Sequence, residues 1–410
     1  MRPPACLLDV TRVMSCLGRG PLTGVDRVES AWLAQLCAGT IPAFGLARTR
    51  AGALLLDAEG LDRLRLLLAT PGLRGKDLPP PDLLSRLTCR NDAQRARAET
   101  ALRRLSCARA PVVLLSRLLR CRLPAGFAAL NTGHANLSNS VMRALRQGGA
   151  GKIAVLIHDT IPLDHPEYTR PDIPPVFARK LAATAAHADL VIHTANATRA
   201  ATETHFTRLG RVPPGVTAPL GLDLAAPDPD PPRPIPTDRP YFVTLGTIEP
   251  RKNHAFLLDL WETMLRDPPQ QMPALLILGR RGWSNEAVFR RLDDPGPLRG
   301  HVFELPDIAD SRAMGLLAAS RGLLFPSLAE GYGLPPLEAA ALGVPAILPP
   351  LPVYRETLGD YPVYHETSDV YAWMETIGAL TANPAKPTLL PSGGLPDWVG
   401  HCNRVLSLLG

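Results

Sequence analysis

Lysine is scarce in this sequence: only Lys76, Lys152, Lys180, Lys252 and Lys386 occur, within a Lys+Arg total of 44. The positive charge is therefore carried by arginine, and a net of +6 does not by itself point to a dedicated polyanionic partner. Aromatic residues make up 5% of the chain, and no stripe interleaves them with basic residues. That excludes base stacking as a mode of recognition and argues against nucleic acid as a partner. Cysteine is sparse as well. Cys6, Cys16, Cys37, Cys89, Cys107, Cys121 and Cys402 are odd in number, scattered and free of any CxxC pair. This excludes a disulfide framework and a zinc site, and predicts free thiols in a reducing compartment. No apolar run approaches the roughly 20 residues that cross a bilayer, and Met1–Val13 lacks the apolar centre of a signal peptide. A cytoplasmic location is expected, with peripheral contact at the inner membrane face left open.

What the chain does have is length, alternation and proline. Its 410 residues suit two α/β domains better than one. Short apolar runs at Ala5–Val10, Ala53–Leu56, Val112–Leu115, Ile153–Ile157 and Leu190–His193 read as buried strands. Val25–Leu36 and Asp92–Leu105 carry helical periodicity between them. The alternation predicts parallel sheets covered on both faces by helices. Prolines cluster in a loop at Pro71–Pro81. Seven more, from Pro227 to Pro240, are too dense for a helix or a central strand and read as a stiff linker. A second series follows, with strands at Tyr241–Leu245, Leu275–Leu278, Val302–Leu305, Leu323–Phe325 and Ala346–Leu348. Helices are expected at His254–Leu265, Ser311–Ala319, Pro335–Leu342, Val370–Leu380 and Asp397–Leu409. The expected organisation is an N-terminal domain over 1–222, a linker over 223–240, a C-terminal domain over 241–396 and a terminal helix over 397–410. Both domains are expected to be doubly wound, with ligands at the carboxyl ends of their strands and the two sheets facing across a cleft.

Four loops fall at such strand ends. Between Leu323–Phe325 and the next helix lie Glu330, Gly331, Tyr332, Gly333 and Leu334, then Pro335, Pro336 and Glu338. The glycines let the backbone approach a ligand and adopt positive φ, and the prolines suit the first helical turn. The helix N-terminus suits a phosphate. Glu338, one turn in, is spaced to meet the two hydroxyls of a ribose, and Glu330 is free to meet sugar hydroxyls. After Tyr241–Leu245, Gly246 opens a tight turn that delivers Arg251 and Lys252, cations suited to a nucleotide diphosphate. Asn253 is positioned to cap the next helix. After Ile153–Ile157 come His158, a candidate donor or proton carrier, and Asp159, a candidate to orient it or to contact an acceptor. Gly24, in the glycine-bearing loop Gly18–Glu29, is a weaker candidate for a main-chain phosphate contact. His134, in Asn131-Thr-Gly-His134, is a weaker candidate for an acceptor contact.

On these residues the chain resembles the family 4 glycosyltransferases, the retaining, GT-B-fold enzymes of glycosyl transferases group 1. The resemblance runs through Glu249-Pro-Arg-Lys-Asn253, Gly279-Arg-Arg-Gly-Trp283 and the Glu330–Glu338 stretch, and more loosely through Gly24 with Val25–Glu29 and through His158-Asp159. It implies transfer of a hexose, with a lean toward mannose, from a GDP- or UDP-linked donor to a glycan or lipid-linked glycan in surface polysaccharide synthesis. It implies that Arg251 and Lys252 hold the diphosphate, Glu338 the ribose and Glu330 the transferred sugar. The backbone of Gly331–Leu334 would lie along sugar and phosphate, and His158 beside sugar and acceptor. Neither a metal nor a cofactor is implied, and no protein nucleophile. The sequence departs from the family at Thr247, where many members carry arginine, and Arg280 is a candidate substitute. The terminal helix is expected to cross back to the first domain. The alternatives are an epimerase or hydrolase of nucleotide sugars on the same scaffold, and a non-catalytic nucleotide-sugar-binding subunit. Retention of Lys252, Glu330 and Glu338 disfavours the last.

Overall fold

The computed structural model describes all residues except Met1, Pro21, Pro71, Pro268, Gln270 and 384–394. Pro21 of the Gly18–Glu29 loop, Pro71 of the expected proline loop and the stretch 384–394 of the expected second domain therefore lie outside the described residues. The chain divides into two compact units. The first comprises Met1–His158, Val176–Gly221 and Pro396–Gly410, and the second Asp159–Pro175 and Leu222–Leu395.

The first unit is built on β1 (Cys6–Asp9), β2 (Ala43–Thr49), β3 (Gly52–Leu56), β4 (Ala108–Ala110), β5 (Ala128–Asn131), β6 (Lys152–Ile157), β7 (Leu190–His193) and β8 (Gly215–Thr217). They form one sheet in the order β4-β3-β2-β1-β5-β6-β7-β8. Strands from β1 outward to β8 are parallel, as alternation with helices requires. The other edge is not. Only Arg50 and Ala51 separate β2 from β3, too short a connection to cross over, so the two pair antiparallel with Thr49 opposite Gly52. β4 pairs antiparallel with β3 as well. The uniformly parallel sheet expected from the sequence is thus corrected to a mixed one.

Val112–Leu115, expected as a strand, is instead a 3-10 turn over Val112–Leu114 leading into a helix, Leu115–Arg122. Leu115 and Leu119 are its buried residues, and their four-residue spacing fits a helical turn. The helix Trp398–Leu406 belongs to the first unit. Asp397 caps it by accepting from Gly400 N at 2.7 Å. His401 Nε2 accepts from Trp32 Nε1 at 3.1 Å, and its Nδ1 donates to the Pro219 carbonyl at 3.0 Å.

The second unit contains β9 (Tyr241–Leu245), β10 (Ala274–Leu278), β11 (Val302–Leu305), β12 (Leu323–Leu324), β13 (Ala346–Leu348) and β14 (Val363–Tyr364). All pair in parallel, in the order β11-β10-β9-β12-β13-β14. Winding proceeds one way from β9 to β11 and the other way from β12 to β14. The reversal between β9 and β12 is a topological switch point. Under it lies a core of fully buried side chains that includes Phe242, Trp261, Leu275, Ile277 and Trp373. The proline-rich segment packs along the helix Asp310–Ala318 of this unit. Asp228 N donates to Ser311 O at 2.9 Å, and Gly315 has no side chain because a Cβ there would lie 2.3 Å from Asp228 O. Arg233 sits over the Tyr241 ring at 5.7 Å.

Candidate functional site

The loops after β9 and β12 leave the sheet on either side of the switch point, and they meet. After β9, Gly246 takes φ +134°, and Gly279 faces it so closely that a Cβ would lie 1.9 Å from the Gly246 carbonyl oxygen. A short 3-10 turn over Pro250–Lys252 then turns both cations back toward the sheet. Asn253, in the left-handed region at φ +55°, ends the turn, and its side chain makes no cap to the helix that follows. The two loops are tied by Leu328 N donating to Arg251 O at 2.8 Å and by Arg251 Nη1 donating to Ala329 O at 3.2 Å.

Glu330 is the centre of the resulting cluster. Its Oε1 pairs with Arg251 Nη1 at 2.7 Å and also with Lys252 Nζ. Lys252 Nζ additionally lies 4.1 Å from the centroid of the Phe325 ring, at the end of β12. Arg251 Nε pairs with Glu249 Oε1 at 2.7 Å. All of these groups are buried or nearly so, and burial decides their titration. Burial alone would raise the Glu330 carboxyl, but Arg251 and then Lys252 outweigh it and hold the group down to about 2. Burial pushes Lys252 down to about 8, with Glu330 opposing only part of that shift. Burial also raises Glu249, and Arg251 and Lys252 offset part of the rise. Asp159 is raised by burial too, lowered in part by the Arg251 guanidinium and by the bond its Oδ1 accepts from Ile161 N at 3.1 Å. Two cations and three carboxylates thus share one buried patch. The charge on Arg251 and Lys252 is met internally when no ligand is present.

Gly331, Tyr332 and Gly333 follow as buried residues. Gly333 takes φ +88° and precedes the helix Leu334–Ala341, whose first turn contains Pro335 and Pro336. A Cβ on Gly333 would lie 2.7 Å from the Tyr354 ring, so both space and backbone demand glycine. Because the two prolines have no N–H, Gly333 and Leu334 supply the amides at this helix start. Glu338 lies on the same helix and is buried. Arg280, considered as a substitute cation, pairs with Asp307 at the half-exposed end of β10.

The first unit holds a separate set. His158 directly follows β6 with its ring buried, and Nε2 donates to Thr132 O at 2.7 Å. Burial lowers the ring to about 4, against the opposing effect of that carbonyl. Thr132, not Asp159, therefore orients His158, which corrects one role considered for Asp159. With Nε2 donating to Thr132, the neutral ring presents Nδ1 as an acceptor. His134 packs edge-on to it with centroids 4.9 Å apart and donates from Nε2 to Leu156 O at 2.8 Å, and burial lowers this ring far below its ordinary value. Gly24 is exposed at the start of the helix Gly24–Ala38. Asp26 already caps that end by accepting from Thr23 N at 3.0 Å, and it pairs with Arg12 Nε at 2.7 Å.

Three buried carboxylates lie outside the candidate residues read from the sequence. Glu249 has its partner two residues on and was legible as a carboxylate beside Arg251. Asp9 and Glu29 were not. Asp9 is raised to about 6 by burial, despite bonds from Thr11 and Asn136. Glu29 accepts from Val13 N at 2.8 Å and is raised strongly, again by burial first. The one clue was an acidic residue inside the apolar run Ala5–Val10. Among the described residues no group of three or more His, Cys, Asp or Glu is arranged to hold a metal ion. All seven cysteines are free. No helix among the described residues is long and apolar enough to cross a membrane.

Residues 228–388 match the family model for Glycosyl transferases group 1. The serotype-specific mannosyltransferase WbdA of Escherichia coli is 31% identical over 261 residues, 60% of this chain and 32% of that protein. The O-antigen chain mannosyltransferase B of Escherichia coli is 33% identical over 132 residues, 32% of this chain and 34% of that protein. The chain thus spans about a third of the length of either mannosyltransferase. The crystal structure of Anabaena Alr3699/HepE in complex with UDP and glucose superimposes with a TM-score of 0.60 at 15% identity, over 99% of each chain. Identity that low speaks to the fold alone. Residues 228–388 thus resemble a glycosyl transferases group 1 domain, and the two doubly wound units have the GT-B fold.

Proposed function

We propose that the protein is a retaining hexosyltransferase of glycosyltransferase family 4. In this reading it moves a hexose, mannose before others, from a GDP- or UDP-linked donor to a glycan or lipid-linked glycan during surface polysaccharide synthesis, in the cytoplasm. The observation that carries the reading is the buried cluster at the switch point, where Glu330 sits between Arg251 and Lys252 next to the Gly333 turn and Glu338. The likeness to two mannosyltransferases supports the hexose. Donor binding exchanges one anion for another. The diphosphate takes over Arg251 and Lys252, and the released Glu330 carboxylate turns to the hydroxyls of the sugar. Glu338 holds the ribose, and the amides of Gly333 and Leu334 meet phosphate or sugar. Neutral His158 accepts a hydrogen bond from the sugar or acceptor. The bond from the anomeric carbon to the phosphate oxygen breaks as the bond to the acceptor oxygen forms, and the acceptor's proton passes to the leaving phosphate. Growing charge on that phosphate is met by the two cations, without a resident metal.

The test is a thermal-shift series with UDP, GDP, ADP and their sugars, followed by turnover of Lys252→Ala and Glu338→Ala. A nucleotide that binds the folded protein raises its apparent stability. Both variants should keep the fold and lose most turnover. Absence of a shift with every nucleotide, or near-normal turnover in both variants, would overturn the reading.

A further inference from the structure

One helix of the first unit is inside out. In Leu83–Thr88 the buried residue is Ser85, 0% exposed, bonded to Thr100 Oγ1 and Arg103 Nη1 at 3.0 Å each. Its leucines face outward, with Leu83 at 78%, Leu84 at 41% and Leu87 at 63% exposed. Helices on a water-facing surface carry the opposite pattern. A groove lies beside it, lined by Thr49, Leu84, Arg103, Arg109 and Pro111. Directly after Pro111, Val113 is 87% exposed and Leu114 46%. The helix that follows turns Arg117, Arg120 and Arg122 outward.

The charge here is as unusual as the hydrophobicity. Residues 83–122 contain ten arginines against two carboxylates, Asp92 and Glu99, a net of +8 where the whole chain has +6. Both carboxylates are already engaged, Asp92 with Arg19 and Glu99 with Arg95. Among the described residues none pairs with Arg109, Arg117, Arg120 or Arg122. Arg103 is nearly buried in the groove wall, where its Nη1 pairs with Asp82 at 2.7 Å and its Nη2 has no hydrogen-bond partner. The stretch contains no Phe, Tyr or Trp, so it lacks the stacking platforms of a nucleic-acid surface.

We propose that this face of the first unit docks on an anionic lipid bilayer. Leu83, Leu84, Leu87, Val113 and Leu114 enter the interface, and the surrounding arginines meet the lipid phosphates. The juxtaposition of exposed aliphatic residues with unpaired guanidinium groups selects a bilayer over an acidic protein, which would satisfy the charge alone. The inference does not depend on sugar transfer, because vesicle binding is read without turnover.

The experiment is co-sedimentation of the full chain with vesicles of phosphatidylcholine alone and of phosphatidylcholine with 30% phosphatidylglycerol, at low and high salt. The wild-type protein should pellet with the anionic vesicles and be released by salt. Leu83→Ser/Leu87→Ser and Arg109→Glu/Arg120→Glu should each weaken binding by roughly tenfold or more. Both pairs are exposed, so unchanged circular dichroism and unchanged nucleotide-induced thermal shifts should accompany that loss. Wild-type protein that stays in the supernatant, equal binding to both vesicle types, or variants that bind like wild type would overturn the proposal. Concentration-dependent dimers in sedimentation velocity that the leucine variant abolishes would assign the face to a second copy of the chain, and would overturn it as well.

Discussion

Replacing Lys252 with methionine should make the protein more stable while disabling it. At pH 7 the wild-type fold holds an ammonium that burial has lowered to about 8, against an ordinary 10.5. An ionised group displaced by that much opposes folding by about 3 kcal/mol, with the attraction of Glu330 already included. Methionine fills much the same volume without the charge, and Glu330 keeps Arg251 at 2.7 Å as its counter-ion. The substitution forfeits the contact of Nζ with the Phe325 ring, worth about 1–2 kcal/mol in a desolvated site. The balance is a gain of about 1–2 kcal/mol at pH 7. Its pH dependence has a definite sign. Between the folded and unfolded values the unfolded chain binds more protons, so wild-type stability rises as pH climbs from about 8 toward 10.5. The advantage of the variant should therefore shrink by about 2 kcal/mol between pH 7 and pH 9.5, to near zero. Urea unfolding of both proteins at the two pH values measures it. In the same preparations the affinity for the cognate nucleoside diphosphate should fall roughly 10–100-fold, the worth of a charge-assisted contact. A variant less stable than wild type at pH 7, or a difference that ignores pH, would refute the description of Lys252 as a strained buried cation.

Gly333→Ala forces a side chain into φ +88° and against the Tyr354 ring, and should lose at least about 2 kcal/mol in denaturant unfolding; an alanine variant as stable as wild type would contradict the tight turn. His158 should contribute no inflection near its ordinary 6.5 to the pH profile of turnover, because the ring is neutral down to about 4. Its lowered value means that the unfolded chain binds the extra proton first, so stability falls as pH drops from 6.5 toward 4, by about 3 kcal/mol in full. His158→Gln should flatten that fall in pH-dependent urea titrations, and an equally steep fall in the variant would count against the buried neutral ring.

The residues around Glu330 were legible because local rules carry them. A strand end, a glycine at positive φ and prolines in a first helical turn each leave their mark within a few positions of the chain. Five of the six strands of the second unit could be read as short apolar runs, as a parallel sheet predicts, whereas β14, the partly exposed edge pair Val363–Tyr364, could not. The hairpin of β2 and β3 was missed because Gly52-Ala-Leu-Leu-Leu56 looks alike whichever way its neighbour runs. Val112–Leu115 misled because four apolar residues fit strand and helix equally, and Leu119 settles the matter only one turn later. Long-range partners left no local trace. Nothing near Glu29 in sequence announces Asp9, and nothing in Leu83–Thr88 announces that Ser85, not a leucine, faces inward.

The path of the chain between the two units sets an order of assembly. It passes from one to the other after His158, Pro175, Gly221 and Leu395. The first unit is therefore begun at the N-terminus but completed only when residues 396–410 have been synthesised. Until then the indole N–H of Trp32 has no acceptor, and the Ala218–Pro219 carbonyls have no imidazole to receive. A nascent chain that has already made all of β9 to β14 still carries an unfinished first unit. Premature termination shortly before residue 396 would strike the unit whose sheet was made first, about 180 residues upstream of the break.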